Sequence, residues 1–400
     1  MNTVSRVIRN TGFLYMKMGV TMFVSLYATR LVLNALGVDD FGIFNMVAGV
    51  IAMLAFLNAS MAAATQRFMS YAEGEGDPEK QKIVFNISVV LHLAIAVMVG
   101  ILLYAAAPIL FGHVLNIPED RVVAARCVYW AMIASTVFGI LGVPCEAMLN
   151  AHENMLYFAI IGVLESFLKL GAALLVVHVP ADKLILYGVL MAGISILAMT
   201  AMLVYCRRNY AECVIAPRRY WKRGVFREMG SFAGWNFTVS ASSMLSEYGV
   251  GIVLNHFFGV ALNAAQAVAQ QINGQTMAFS GTMLKALNPV ISKSEGAGNR
   301  GLMLRASLSG CKFAYLLMAV FAIPLILEAP GLLGLWLHSV PAWAVLFCRL
   351  QLARTLLEQL FLSLGSAIYA EGNIRLYTLV KTGSGILFLG ATWGLSLIHI

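Results

Sequence analysis

The 400-residue sequence is 60% hydrophobic and 12% charged, where soluble globular chains run at about 45–50% and about 25%. It therefore lacks the polar surface that a soluble particle of this size needs, and its mean hydropathy is +0.81. The net charge of +8 comes with no basic soluble module, which excludes a nucleic-acid partner; the excess lies in short loops, where Lys and Arg set membrane orientation.

The N-terminus, MNTVSRVIRN, is basic and leads into an apolar run from 11 to 36. That run is too long for the core of a signal peptide, contains Lys17 and Arg30, and has no small-residue cleavage site, so it predicts a first transmembrane helix. Ten more apolar runs follow, at 41–69, 83–112, 122–149, 155–179, 183–206, 229–258, 262–291, 304–328, 342–369 and 374–398. With the N-terminus inside, the inner segments carry sixteen Lys and Arg and the outer ones only Arg121, Arg126 and Lys183, which fixes a cytoplasmic N-terminus. All five aspartates, Asp39, Asp40, Asp77, Asp120 and Asp182, fall in predicted loops.

The chain repeats itself. A shift of 222 residues lays Gly37-Val38 on Gly259-Val260, Met61 on Met283, Ala64 on Ala286, Ser70 on Ser292, Glu73-Gly74-x-Gly76 on Glu295-Gly296-x-Gly298, and Pro108-x-Leu110-x-Gly112 on Pro330-x-Leu332-x-Gly334. Later the register slips, and Ala151-x-x-Asn154 falls on Ala370-x-x-Asn373 at 219. Six spans separate the copies, so the repeats share one orientation, the arrangement of two-lobed transporters with a central site.

The expected fold is an all-α polytopic transmembrane bundle of two parallel-repeat six-helix lobes. Residues 1–206 form the first lobe with six spans, 207–228 a basic cytoplasmic linker, and 229–400 the second lobe with five of six spans. The partner of span six falls at about 402–425, beyond the sequence, so a C-terminally truncated second lobe is expected.

Polar residues inside spans are costly and mark function or interhelical hydrogen bonding. Span seven carries Asn236, Ser240, Ser243 and Glu247, on one helical face by their spacing. Span eight carries Gln266, Gln270 and Asn273 on one face, with Asn288 further along the same stripe, Gln271 and Gln275 on another face, and Lys285 near the cytoplasmic end. Two such stripes on adjacent helices predict a hydrated cavity wall, against the alternative of interhelical glue. Lys17, Arg30, Lys169, Lys285, Lys312, Arg349, Arg354 and Lys381 outnumber the spanning carboxylates Glu165, Glu247 and Glu358. A surplus of cations facing a cavity calls for an anion, and phosphate or pyrophosphate suits Arg and Lys. Glu165/Lys169 and Arg354/Glu358 have the spacing of satisfied pairs.

Enzyme signatures are absent: no phosphate-binding Walker loop, no HExxH, no GxSxG. The seven histidines, His92, His113, His152, His178, His256, His338 and His399, are scattered without metal-ligand spacing, and the six cysteines form no CxxC pair and read as small buried residues. No metal site and no cofactor are expected.

The run Leu36-Gly37-Val38-Asp39-Asp40-Phe41-Gly42-Ile43-Phe44-Asn45 resembles the first outer loop of polysaccharide-biosynthesis and O-antigen flippases of the multidrug/oligosaccharidyl-lipid/polysaccharide superfamily, whose members are MATE-like. Thr65-Gln66-Arg67-Phe68, Gly74-x-Gly76-Asp77, Gly234-Trp235-Asn236, Asn255-His256-Phe257-Phe258-Gly259, Asn263-Ala264-Ala265 and Asn288-Pro289 are similar to the same family. The resemblance implies alternating access in the bacterial inner membrane. The implied cargo is a polyprenyl-pyrophosphate-linked oligosaccharide, a repeat unit of O-antigen, capsule or exopolysaccharide. It leaves room for a coupling ion, Na+ or H+, and for polymerase and glycosyltransferase partners of the same pathway. The substrate-facing set expected from the residues is Lys17, Arg30, Asn236, Ser240, Ser243, Glu247, Gln266, Gln270, Asn273, Lys285, Arg354 and Glu358. The rival readings are a cation-coupled multidrug exporter, a membrane sugar polymerase or ligase, and a structural membrane protein.

Overall fold

A computed structural model of the chain describes residues 3–398 except 53, 116, 181, 338 and 339; His338 and His399 thus lie outside the described residues. Thirteen α-helices run through the described residues, with no strand among them: α1 (Thr3–Ala52), α2 (Ala55–Glu75), α3 (Pro78–Ile109), α4 (Val122–Ala151), α5 (Met155–His178), α6 (Lys183–Asn209), α7 (Arg223–Phe258), α8 (Val260–Gly296), α9 (Arg300–Leu327), α10 (Ala329–Trp336), α11 (Ala344–Gln359), α12 (Leu362–Glu371) and α13 (Arg375–Ile398). They form two compact units, Met1–Gly230 and Ser231–Ile400, with α7 beginning in the first and continuing in the second.

The repeat is written into the backbone. Gly37 (φ 79°, ψ 172°) and Gly259 (φ 80°, ψ −177°), 222 residues apart, hold the same conformation, a region closed to side-chain-bearing residues. Each is a one-residue break in an otherwise helical line, where the sequence predicts a loop. Asp39 and Asp40 are therefore not in a loop: they lie in α1, directly after the Gly37 break. The next pair is equally matched. Gly76 (φ 68°) and Gly298 (φ 70°) are left-handed, and the following Asp77 and Asn299 cap α3 and α9 by accepting hydrogen bonds from Lys80 and Leu302 amides. Where the register slips to 219, Glu153 (φ 56°) and Gly372 (φ 96°) both turn left-handed.

Seven helical segments among the described residues are long and apolar enough to cross a membrane: Ser5–Ala52, Pro78–Gly112, Glu119–Ala151, Met155–His178, Lys183–Asn209, Arg223–Phe258 and Arg300–Leu327. Three of the other predicted spans differ for physical reasons. The second is divided between the last part of α1 and α2, the eighth is continuous but weighed down by its polar stripe, and the tenth is broken. At that break Leu360 and Phe361 bond to carbonyls three residues back instead of four, which ends α11 and starts α12.

In the first unit Ile43, Val47 and Ile51 of α1 pack with Val99 and Leu103 of α3 and with Val128 and Tyr129 of α4. The buried Tyr129 hydroxyl donates to the Leu103 carbonyl at 2.6 Å. In the second unit Ala265 and Ala269, the counterparts of Ile43 and Val47, pack with Leu333, Ala344 and Cys348. Small residues let helices meet closely: a Cβ on Gly310 of α9 would lie 2.4 Å from Leu287 of α8 and 2.5 Å from Ser363 of α12.

One end of the first unit is tied by a single guanidinium. Arg121 donates through Nε to Asp40 at 2.8 Å and through Nη1 to Asp182 at 2.9 Å, joining α1, the turn before α4 and the cap of α6. Burial alone would raise the Asp182 carboxyl, but Arg121 and the amides of Ile185 and Leu184 hold it below its ordinary value. A depressed folded-state pKa contributes stability that is fully present above the unfolded value, near 4, and is lost as pH falls through the folded one. Asp182→Asn, which retains a capping side chain, is expected to cost about 0.5–1 kcal/mol at neutral pH, read as a lower thermal midpoint in detergent. The difference from the unmodified protein should shrink as pH falls below 4.

Candidate functional site

At two matched interior positions the second unit is polar where the first is apolar. Asn273 of α8 stands at the repeat position of Ile51, and Gln359 of α11 at that of Ile140. Thr355 Oγ1 donates to Asn273 Oδ1 at 2.7 Å, joining α11 to α8. Gln359, fully buried, donates through Nε2 to Met277 Sδ at 3.2 Å and towards the Thr355 carbonyl at 3.4 Å. Tyr369 of α12 donates to Asn236 Oδ1 of α7 at 2.7 Å. Ser280 Oγ, Gln359 Oε1, Ser363 Oγ, Thr378 Oγ1 and Gln266 Oε1 are buried and have no hydrogen-bond partner among the described residues. Buried polar atoms of this kind are ordinarily met by ordered water.

The expected residues divide by exposure. Asn236 and Asn273 hold helices together in the second unit. Gln266 lies with Asn263 against Gly251 of α7, and Ser240, Gln270 and Lys285 are half-buried. Ser243 and Glu247 are exposed, because the face of α7 that meets α13 is made by Ser242, Ser246 and Gly249. Gln271 and Gln275 of α8 are exposed as well. Arg354 and Glu358 are paired at 2.9 Å on the exposed face of α11, one residue away from the buried row of Thr355, Gln359 and Ser363. That row, at spacings of four, is a stripe the sequence displays.

Several cations of the spans are engaged by protein. Lys17 sits 3.8 Å above the Phe158 ring and lies across Gly162 of α5, where an added Cβ would fall 2.1 Å from its Cε. Lys169 pairs with Glu165 at 2.7 Å. Arg349 Nε donates to the Ile326 carbonyl at 2.9 Å, near the end of α9. Arg30 is exposed on α1.

Exposed polar side chains on membrane-length helices face water or protein, since hydrocarbon cannot solvate them. The second unit thus has two polar layers, an inner one that joins helices and an outer one of Ser243, Glu247, Gln271 and Gln275 on α7 and α8; the Arg354–Glu358 pair lies on the shorter α11. With the six native cysteines replaced, Ser243→Cys and Gln275→Cys are expected to react with a membrane-impermeant thiol reagent. Gln359→Cys, in the inner layer, should stay at least tenfold slower; equal rates at all three would dissolve the distinction.

Residues 7–295 match the sequence model of a family described as polysaccharide biosynthesis protein. No curated protein matches the chain. Among solved structures it is similar to a mutant MATE protein, with a TM-score of 0.74 at 16% identity over 98% of this chain and 86% of that one. It is also similar to an outward-facing multidrug resistance MATE family transporter of the MOP superfamily, with a TM-score of 0.72 at 14% identity over 98% and 95% of the two chains. A third is a MOP superfamily transporter from Pyrococcus furiosus whose binding pocket is described as reversed in polarity, with a TM-score of 0.68 at 13% identity over 98% and 95%. Identities this low establish a shared fold.

Proposed function

The chain belongs to the polysaccharide biosynthesis protein family, and from that membership we propose that it is a flippase for a polyprenyl-pyrophosphate-linked oligosaccharide. The cargo is a repeat unit of O-antigen, capsule or exopolysaccharide, moved by alternating access from the cytoplasmic to the periplasmic leaflet of the bacterial inner membrane. The MATE-type fold of this multi-pass membrane chain supports a transporter.

The observation that carries the reading is the outer polar layer of the second unit. Ser243, Gln271 and Gln275 are neutral hydrogen-bonding groups exposed on helices of membrane length. Sugar hydroxyls are both donors and acceptors, and amide and hydroxyl side chains match them without demanding a fixed charge. Exposed Arg30 supplies a cation for pyrophosphate. For a cationic drug, Asp40 is already engaged by Arg121 and Glu358 by Arg354, which leaves Glu247 as the exposed carboxylate of this layer. Pathway glycosyltransferases and a polymerase are the partners this reading assigns.

Surface-polysaccharide export in cells tests it. Replacing Ser243, Gln271 and Gln275 together with Leu, and separately Arg30→Glu, is expected to lower export at least tenfold with the amount of inserted protein unchanged. Full export from both variants would remove the oligosaccharide reading.

A further inference from the structure

The segment 210–222 that leads from α6 to α7 is fastened to the first unit. Asn86, buried at the start of α3, donates through Nδ2 to the Val214 carbonyl at 2.8 Å and accepts from the Ala216 amide at 2.7 Å. Next to this clamp, three potential metal ligands converge from three separate elements: Glu73 at the end of α2, His152 just beyond α4, and Glu212 of the segment itself. Their ligand atoms all lie within 4.8 Å of one another. Glu73 Oε1 is 3.4 Å from His152 Nδ1, close to the separation of about 3.4 Å that two ligands with bonds of about 2.1 Å subtend at a tetrahedral ion. Glu212 Oε1 meets the other ring nitrogen, Nε2.

The surroundings hold these groups in place. Gln81 donates to Glu73 Oε2 at 2.7 Å, which occupies that oxygen and leaves Oε1 turned to His152. The Tyr210 ring stacks on the imidazole at 4.2 Å and 4°, and Asn154 donates to the Tyr210 hydroxyl at 3.0 Å. Outer partners that orient imidazole and carboxylate are the ordinary support of a metal site.

The repeat gives an independent indication. In the second unit, Glu295 and Glu371 stand where Glu73 and His152 stand in the first. Arg300 lies between them, 4.0 Å from Glu295 and 2.8 Å from Glu371. This junction is therefore occupied by a cation in the second unit. In the first, the position of Arg300 is taken by Pro78, and a further carboxylate, Glu212, has been brought in on the far side of the imidazole.

We propose that Glu73 Oε1 and His152 Nδ1 bind a first-row divalent metal ion of the Mn2+ or Zn2+ class, with Glu212 accepting from Nε2 and holding the imidazole in place, so that the ion fastens the segment 210–222 to the ends of α2 and α4. One imidazole and one carboxylate suit such ions, and the half-buried setting leaves the remaining positions to water. The proposal is independent of the cargo.

The test uses the full chain, purified in detergent, stripped with chelator and titrated with Mn2+, Zn2+ and Co2+. The thiols of Cys145, Cys206 and Cys213 lie close by, so Co2+ separates the two sites: ligation by nitrogen and oxygen gives no thiolate charge-transfer band. One equivalent of Mn2+ should bind and raise the thermal midpoint. Glu212→Gln and Glu73→Gln should each weaken binding at least tenfold, and Arg300→Gln should leave it unchanged. Absence of Mn2+ binding, binding unaffected by both carboxylate substitutions, or a thiolate band with Co2+ would overturn the proposal. Two variants at separate elements keep the result readable if one fails to fold.

Discussion

A polar side chain on a membrane-length helix must be paired, hydrated or absent, because hydrocarbon offers it no hydrogen bond. The second unit meets this constraint in two layers on the same helices. Its inner layer pairs internally, through Thr355 with Asn273 and Tyr369 with Asn236, and sets α7, α8, α11 and α12 against one another. Its outer layer, Ser243, Gln271 and Gln275 among others, stays exposed. The inner layer is what gives the outer one a fixed place: interhelical hydrogen bonds in a membrane contribute about 0.6–2 kcal/mol each, enough in combination to hold a helix in one rotation. The first unit has Ile51 and Ile140 at the equivalent interior positions, within an apolar cluster.

Interiors that differ in this way at matched positions share one backbone plan. Its fixed points are few and local. Gly37 and Gly259 break helices in a conformation only glycine reaches, and Asp77 and Asn299 restart them as caps. Between these points the side chains are free to diverge, provided buried volume and hydrogen bonding are satisfied. The junction of α2 with α4 in one unit and of α8 with α12 in the other shows the same freedom, with a histidine between two carboxylates in the first and an arginine between two carboxylates in the second.

Much of this was legible in the sequence because it rests on residues with strong local meaning. The glycines and their 222-residue spacing expose the repeat, and the apolar periodicity exposes the helices. What the sequence hides is how short the joints are. Spacing rules allow a loop between spans one and two, but a single residue, Gly37, makes the break, and Asp39 and Asp40 become helical. The interruption at Leu360–Phe361 is invisible because LEQLFLSL has no Gly or Pro to mark it. On that span the charged pair Arg354/Glu358 is the stronger signal, yet the residues that enter the interior are Thr355, Gln359 and Ser363, one position round the helix. Glu73, His152 and Glu212 are too far apart in the chain for any ligand spacing to join them. Only the packing of α2 against α4 and the clamp of Asn86 on Val214 and Ala216 bring them together.

We propose that the exposed polar side chains of the second unit, Ser243, Gln271 and Gln275 among them, serve a sugar-bearing, pyrophosphate-linked lipid. The most direct measurement is translocation in vesicles containing only the purified chain, with a polyprenyl-pyrophosphate oligosaccharide in one leaflet and enzymatic access to the sugar as the readout. A flippase of this kind gives protein-dependent loss of that access as the sugar crosses, with no movement of a cationic dye under the same conditions. A dye that crosses while the oligosaccharide remains fully accessible would contradict it.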